Sequence, residues 1–283
     1  MKKKSKGEND NISQKNSSIL GKDDEIDLEK ELSDLKQKKT SMFHLALIRF
    51  KRNKLAIVGA VIVLSIVFSA IFAPFIAPYP PLKQNVQRGL EGPSTDHLLG
   101  TDKLGRDILS RLIYGARSAL IVGLVIVLIS GGIGIALGLV AGAFGGAVDE
   151  IVMRIVDTFL SFPVIVMAFA IAAIMGSGLI PVIIAVGMII WTRFARVARG
   201  EILSLKNEPF IEAAEAIGES KLSVIIRYLL PNVLPSLTIV ATLQIPAALL
   251  YSASLNFLGV GIQPPTPSWG YMVSTGRYYV LIS

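Results

Sequence analysis

The sequence predicts an all-α protein that crosses a membrane several times, and three observations carry that prediction. Of its 283 residues, 52% are hydrophobic and only 17% are charged, against about a quarter charged in ordinary soluble domains. The charges fall in blocks and leave long stretches with none, each long enough for a helix that spans a bilayer. There is no cysteine, which excludes disulfide scaffolds, thiolate nucleophiles and cysteine-based zinc sites. The two histidines, His44 and His97, are too distant in sequence to suggest a paired site. The formal net charge of +7 reads as membrane topology rather than nucleic-acid binding.

Residues 1–40 are polar, rich in Lys and in Asp and Glu, and lack the apolar core of a signal peptide, so a disordered cytosolic tail is expected. Leu28, Leu32 and Leu35 share helical spacing, which admits a short helix between Asp24 and Gln37; a solvated stretch is the plainer reading. Region 41–77 holds the first span, Leu55 to Ala77, preceded by Arg49, Lys51, Arg52 and Lys54, a basic collar that favours a cytosolic N-terminus. Pro78-Tyr79-Pro80-Pro81 ends it. Residues 78–117 read as an extracellular loop. In it, Asp107 to Ala116 predicts an amphipathic helix lying at the membrane surface, with Asp107 and Arg111 paired at i,i+4. The loop also carries Lys83, Arg88, Lys103 and Arg106, more positive charge than an external loop prefers.

The remaining region, 118–283, is the expected core, with a cytosolic loop at about 193–232. Its first span lies within Ala119 to Phe144, where Gly134, Gly138 and Gly142 recur every four residues along one helical face. Such a ridge lets a second helix approach closely, a reading favoured over simple helix flexibility. From Thr158 to Thr192 there is no charge; as a single helix this stretch would extend ~52 Å against a hydrocarbon core of ~30 Å. Gly176-Ser177-Gly178 and Pro181 supply the necessary break, giving a third span at about Thr158 to Met175 and a fourth at about Leu179 to Trp191. The fourth is expected to continue as helix past Arg193, Arg196 and Arg199. A fifth runs from about Leu234 to Phe257, with Gln244 inside it and a kink expected at Pro246. Gly259 to Trp269 reads as a loop, and Tyr278 to Ile282 begins another apolar run, so five spans are counted and a sixth is no more than begun.

No Asp, Glu, Lys, Arg or His lies within the five spans so drawn. An ion-coupled carrier usually needs such a group despite a cost of ~2.5 kcal/mol or more at the bilayer centre. The phosphate-cradling pattern G-x-x-x-x-G-K-[ST] is absent, as are G-x-S-x-G and H-E-x-x-H, and no carboxylate pair lies at membrane depth. The chain is therefore read as no enzyme, and energy for active transport is expected from another subunit. An ion-driven secondary carrier, a non-transporting scaffold and a membrane enzyme rank below that reading.

The candidate receiver of that energy lies between the fourth and fifth spans. Asn207 is placed to cap a helix that has Pro209 in its first turn, Glu208 and Glu212 near its positive end and Gly218 after its last turn. A second short helix, about Ser220 to Leu229, is expected to stop at Pro231. Ala213 and Ala214 leave room for a close-fitting partner, and Phe210 and Ile211 are suited to fill a pocket on it.

Glu212-Ala213-Ala214, Gly218, Leu230 and Pro231 stand in the register of the EAA motif of bacterial ABC importer permeases, E-A-A-x3-G-x9-I-x-L-P, with Tyr228 in place of Ile. The chain resembles that family. Gly100, Asp102, Gly105, Arg106, Asp107 and Arg111, within the run Gly100 to Arg111, and the segment Asp149 to Pro163 are similar to the C-type permease subunit of dipeptide, oligopeptide and nickel importers. The resemblance implies a type I ABC importer permease fold of six spans, in the bacterial cytoplasmic membrane, with both ends in the cytosol. It implies that Glu208 to Gly218 carries a coupling helix. The implied partners are a homologous permease subunit, two ATP-binding cassette ATPase subunits that hold ATP and Mg, an extracellular solute-binding protein and membrane lipid, with no nucleic acid and neither cofactor nor metal in this chain. Peptides lead as cargo, and nickel chelates or other small solutes follow. For Asp102, Arg106, Asp107 and Arg111 two readings stand side by side: a surface for the partner permease and binding protein, or the bracing of a loop.

Overall fold

The computed structural model describes residues 50–280. The expected tail at 1–40 and the stretch Asp24 to Gln37 lie outside the described residues. The chain divides into two units, 1–63 and 64–283. In the first, helix α1 (Lys54–Ile71) begins after Asn53, whose side chain accepts the N–H of Ala56 at 3.2 Å. The second unit holds the end of α1, a short α2 (Ala73–Ile76) and a single 3₁₀ turn at Val86–Arg88. There follow α3 (Ile108–Phe144), α4 (Gly146–Leu160), α5 (Val164–Met175), α6 (Leu179–Leu205), α7 (Pro209–Ala216), α8 (Lys221–Val224), a π turn (Ile225–Leu229), α9 (Leu230–Phe257) and α10 (Trp269–Val280).

Helices α3 and α6 form the shaft of the second unit and run parallel. The Ser130 hydroxyl donates to Gly187 O at 3.2 Å, and further along both helices Gly134 meets Phe194, Gly138 meets Ala198 and Gly142 meets Ile202. A Cβ at any of those three glycines would come within 2.7 Å of a carbon of the facing side chain. The glycine ridge thus lets two backbones touch, which replaces the hydrophobic drive that lipid removes. Helix α9 runs the other way, bringing Leu249 against Gly123, and α10 brings Trp269 against Gly115. The ends of α3 and α6, the short α7 and α8, and the start of α9 therefore gather at one end of the unit. The 78–107 loop and the 258–268 loop gather at the other.

Three expectations change. Asp107 to Ala116 is no separate surface helix: α3 starts at Ile108 and runs unbroken to Phe144. Its polar side is the covered one, with Arg111 2% exposed and Leu112 43% exposed, because the 78–107 loop folds over that side and supplies partners for the guanidinium. The third span also differs. Between Thr158 and Met175 the helix is broken: α5 has 12 residues and is about 18 Å long, and α4, which ends at Leu160, is bent from it by 92° at Ser161-Phe162-Pro163. Pro163 has no N–H to continue α4 and opens α5 instead. The bent pair so formed carries charge, since α4 holds Asp149 and Asp157. Finally, Pro231 ends nothing. In the π turn the Leu230 N–H donates to Ile225 O, five residues back, so the ladder has already shifted where Pro231 enters, and helix continues from Lys221 to Phe257.

Candidate functional site

At the end where α3 and α6 finish, the chain turns through α7. Glu208, not Asn207, occupies the N-cap position, with extended backbone and no side-chain capping bond; its carbonyl accepts the N–H groups of Ile211 and Glu212. The far end closes in a six-to-one and five-to-two arrangement, Glu219 N–H to Ala214 O at 3.2 Å and Gly218 N–H to Glu215 O at 3.0 Å. This closure requires a left-handed residue, and Gly218 sits at φ +86.

The eight-residue helix has a broad apolar face. Its inward stripe, Ile211 and Ala214, joins Ile202, Val224, Ile225 and Leu229 in the main core. Both were expected to meet a partner, but they are buried in the chain's own core, beside α8. Phe210 and Ala213, with Ile217 at the C-cap, form an exposed apolar flank beside that stripe; Phe210 is 40% exposed and Ile217 76%. Glu208 and Glu212 are exposed as well. Leu230 is half-buried and Pro231 exposed at the start of α9. Ile217 escaped the sequence reading, although its spacing of seven from Phe210 was the available signal.

Nearby, Asp149 of α4 accepts both Nε and Nη2 of Arg199 of α6, at 2.8 and 2.7 Å, and Asp157 pairs with Arg196. Phe159 meets Trp191 edge-on at 5.8 Å. These pairs tie α4 to α6.

At the opposite end, residues 85–107 are cross-linked by their own backbone and side chains. Leu90 N–H donates to Asp102 O, Thr101 N–H to Glu91 O and Ile108 N–H to Gly100 O. Gly105, at φ +68, lies so close to the backbone of Asn85 that no side chain fits there, and a Cβ at Gly100, φ +75, would overlap Glu91 O. Asp102 Oδ1 accepts the N–H groups of Leu104 and Arg106, while Oδ2 accepts Arg106 Nε at 2.7 Å and faces Arg111 Nε at 3.6 Å. Arg111 thus pairs with Asp102, not with Asp107 as the i,i+4 spacing suggested.

Asp107 is occupied elsewhere. Its Oδ2 caps α3 by accepting the Ser110 N–H and hydroxyl, each at 2.7 Å, and its Oδ1 lies 2.9 Å from His97 Nδ1. Burial opposes the charge on Asp107, but the Ser110 hydroxyl, His97 and the Ser110 amide outweigh it and hold the carboxyl below the ordinary aspartate range. Trp269 adds a long-range tie, its indole N–H donating to Leu112 O at 3.0 Å. The arrangement braces the loop against α3 and α10.

Residues 134–283 match the family described as binding-protein-dependent transport system inner membrane component, and residues 41–93 match the N-terminal TM domain of oligopeptide transport permease C. The chain is 42% identical over 232 residues to a dipeptide transport system permease protein, DppC, of Alkalihalophilus pseudofirmus, covering 82% of this chain and 76% of that protein. It is 39% identical over 236 residues to a glutathione transport system permease protein, GsiD, of Pectobacterium atrosepticum, covering 83% and 78%. Among solved structures it is similar to a chain of the inward-facing MetNI methionine ABC transporter, with a TM-score of 0.52 and 22% identity over 60% of this chain and 82% of that one. That likeness bears on the fold.

Proposed function

Because the chain belongs to the binding-protein-dependent transport system inner membrane components, we propose that it is the permease subunit of an ATP-driven importer for small peptides and that α7 is where a separate ATPase grips it. Relatives named for dipeptide and glutathione transport point to a short peptide as cargo. The observation that carries the coupling role is the exposed flank of Phe210, Ala213 and Ile217. The apolar face of this short helix is broader than its own chain covers: Ile211 and Ala214 are buried, while Phe210 and Ile217 at its margin stay exposed and suit a partner.

The mounting suits the task. Ile211 and Ala214 anchor α7 to the same cluster as Val224, Ile225 and Leu229, and from Lys221 helix runs without interruption to Phe257. A push on Phe210 therefore acts on α9 through packed side chains and a continuous backbone. In this reading the α7 end is cytosolic, the braced 78–107 loop is external, and a homologous permease completes the pathway while an external binding protein delivers cargo.

The test is co-purification and transport. Phe210→Ala combined with Ile217→Ser, introduced into the full complex in its native membrane, is expected to remove the ATPase from the purified assembly and to abolish ATP-dependent peptide uptake. Since both side chains are exposed, the thermal midpoint of the chain should stay nearly constant, within about 0.5 kcal/mol of stability. An assembly that retains the ATPase and transports at the parental rate would reject the role of α7.

A further inference from the structure

We infer that the cavity between the 78–107 loop, the start of α3 and α10 is an anion site that takes a carboxylate or phosphate group joined to an apolar body. The cavity measures about 350 Å³ and belongs to no part of the coupling end. Its lining holds Lys103 and Arg106 from the loop and Arg111 from α3, with one carboxylate, Asp102. Arg106 is 5% exposed and Arg111 2%, and both direct Nε at the same oxygen, Asp102 Oδ2, at 2.7 and 3.6 Å. The longer distance is beyond a hydrogen bond. Among the described residues no other carboxylate pairs with either guanidinium, and Arg111 Nη1 donates to a neutral group, Pro81 O, at 3.2 Å.

One negative charge is therefore shared by two buried cations, with a third, Lys103, in the same lining. A buried cation short of counter-charge is costly, and the planar donor fork of arginine matches the paired oxygens of a carboxylate or phosphate. An anion entering here supplies the missing charge. The facing surfaces of Leu90, Ile108 and Met272 are apolar, so the ligand that fills the space carries an apolar group beside its charge. Two sources share this chemistry: the carboxyl end of a small solute and the headgroup of an acidic lipid.

The probes are N-acetylleucine and its uncharged amide, followed by equilibrium dialysis with the full chain in mild detergent. The acid is expected to bind at least ~10-fold more tightly than the amide. Gly276 lines the cavity, and a Cβ there would meet nothing within 4 Å, so Gly276→Leu should fill the space without disturbing the fold and weaken acid binding ~10-fold or more. Lys103→Glu, at an exposed position, should weaken it as well. In nanodiscs, displacement of N-acetylleucine by phosphatidylglycerol but not phosphatidylcholine assigns the site to a lipid headgroup; retention in both assigns it to a soluble carboxylate. Equal binding of acid and amide, binding of neither, or undiminished binding in both variants would overturn the proposal.

Discussion

The two ends of the second unit are both loops, yet they are held by opposite means. The 78–107 loop rests on buried polar contacts: Asp102 gathers two guanidiniums and two backbone amides, and Asp107 caps α3 while facing His97. The 206–229 loop rests on an apolar base of Ile211, Ala214, Val224, Ile225 and Leu229, and its charges Glu208 and Glu212 point to solvent. The difference separates rigidity from availability. Directional bonds among buried groups fix one end in a single arrangement, whereas an apolar footing leaves the outer side of α7 free to be read by another protein.

The strongest way to break this contrast is Asp102→Ala. It leaves Arg106 and Arg111 buried without their carboxylate and should cost ~3–5 kcal/mol, seen as a large drop in the thermal midpoint of the chain in detergent. Glu212→Ala at the other end should leave that midpoint in place. Equal losses at the two positions would erase the distinction.

Acid should separate the ends with a smaller effect. The folded-state pKa of Asp107 is depressed, so its contribution is fully present above the unfolded aspartate value of about 4 and is lost as pH falls through the depressed folded value. Thermal midpoints followed downward from neutral pH should fall below pH ~4 in the parent and fall less in Asp107→Asn. A parallel fall in both would place the acid sensitivity elsewhere. Gly218→Ala is the mildest case. Its φ of +86 imposes on alanine a left-handed conformation that costs ~1–2 kcal/mol, which should loosen the closure of α7, visible as faster amide exchange at Glu219, while the braced loop keeps its protection.

Much of this was legible in the chain itself. The charge-free stretches locate α1, α5, α9 and the apolar parts of α3 and α6, the break after Met175 follows from Gly176-Ser177-Gly178, and the bounds of α7 follow from Pro209 and Gly218. The glycine spacing at Gly134, Gly138 and Gly142 announced a close approach but not its partner, α6, since periodicity marks a face without saying what meets it. Partner choice escaped where two carboxylates competed. Arg111 has Asp107 at i−4 and Asp102 across the loop; the helix start had already claimed Asp107, whose oxygens serve orphan backbone and hydroxyl donors there. How far α7 is covered was likewise hidden, because a short apolar helix reads the same whether part or all of its apolar face is buried.

The amino-acid order by itself determined that the protein is helical, lies in a membrane, and carries a short capped helix between two long ones, because these follow from local runs of apolar residues and from the conformations that Pro and Gly permit. Only the tertiary structure decided that α3 and α6 run parallel, that α4 and α5 meet at a sharp bend, that Arg111 answers to Asp102, and that Phe210 rather than Ile211 is offered outward. Those outcomes depend on which groups far apart in sequence reach each other first and exclude the rest, a competition that no local window of residues contains.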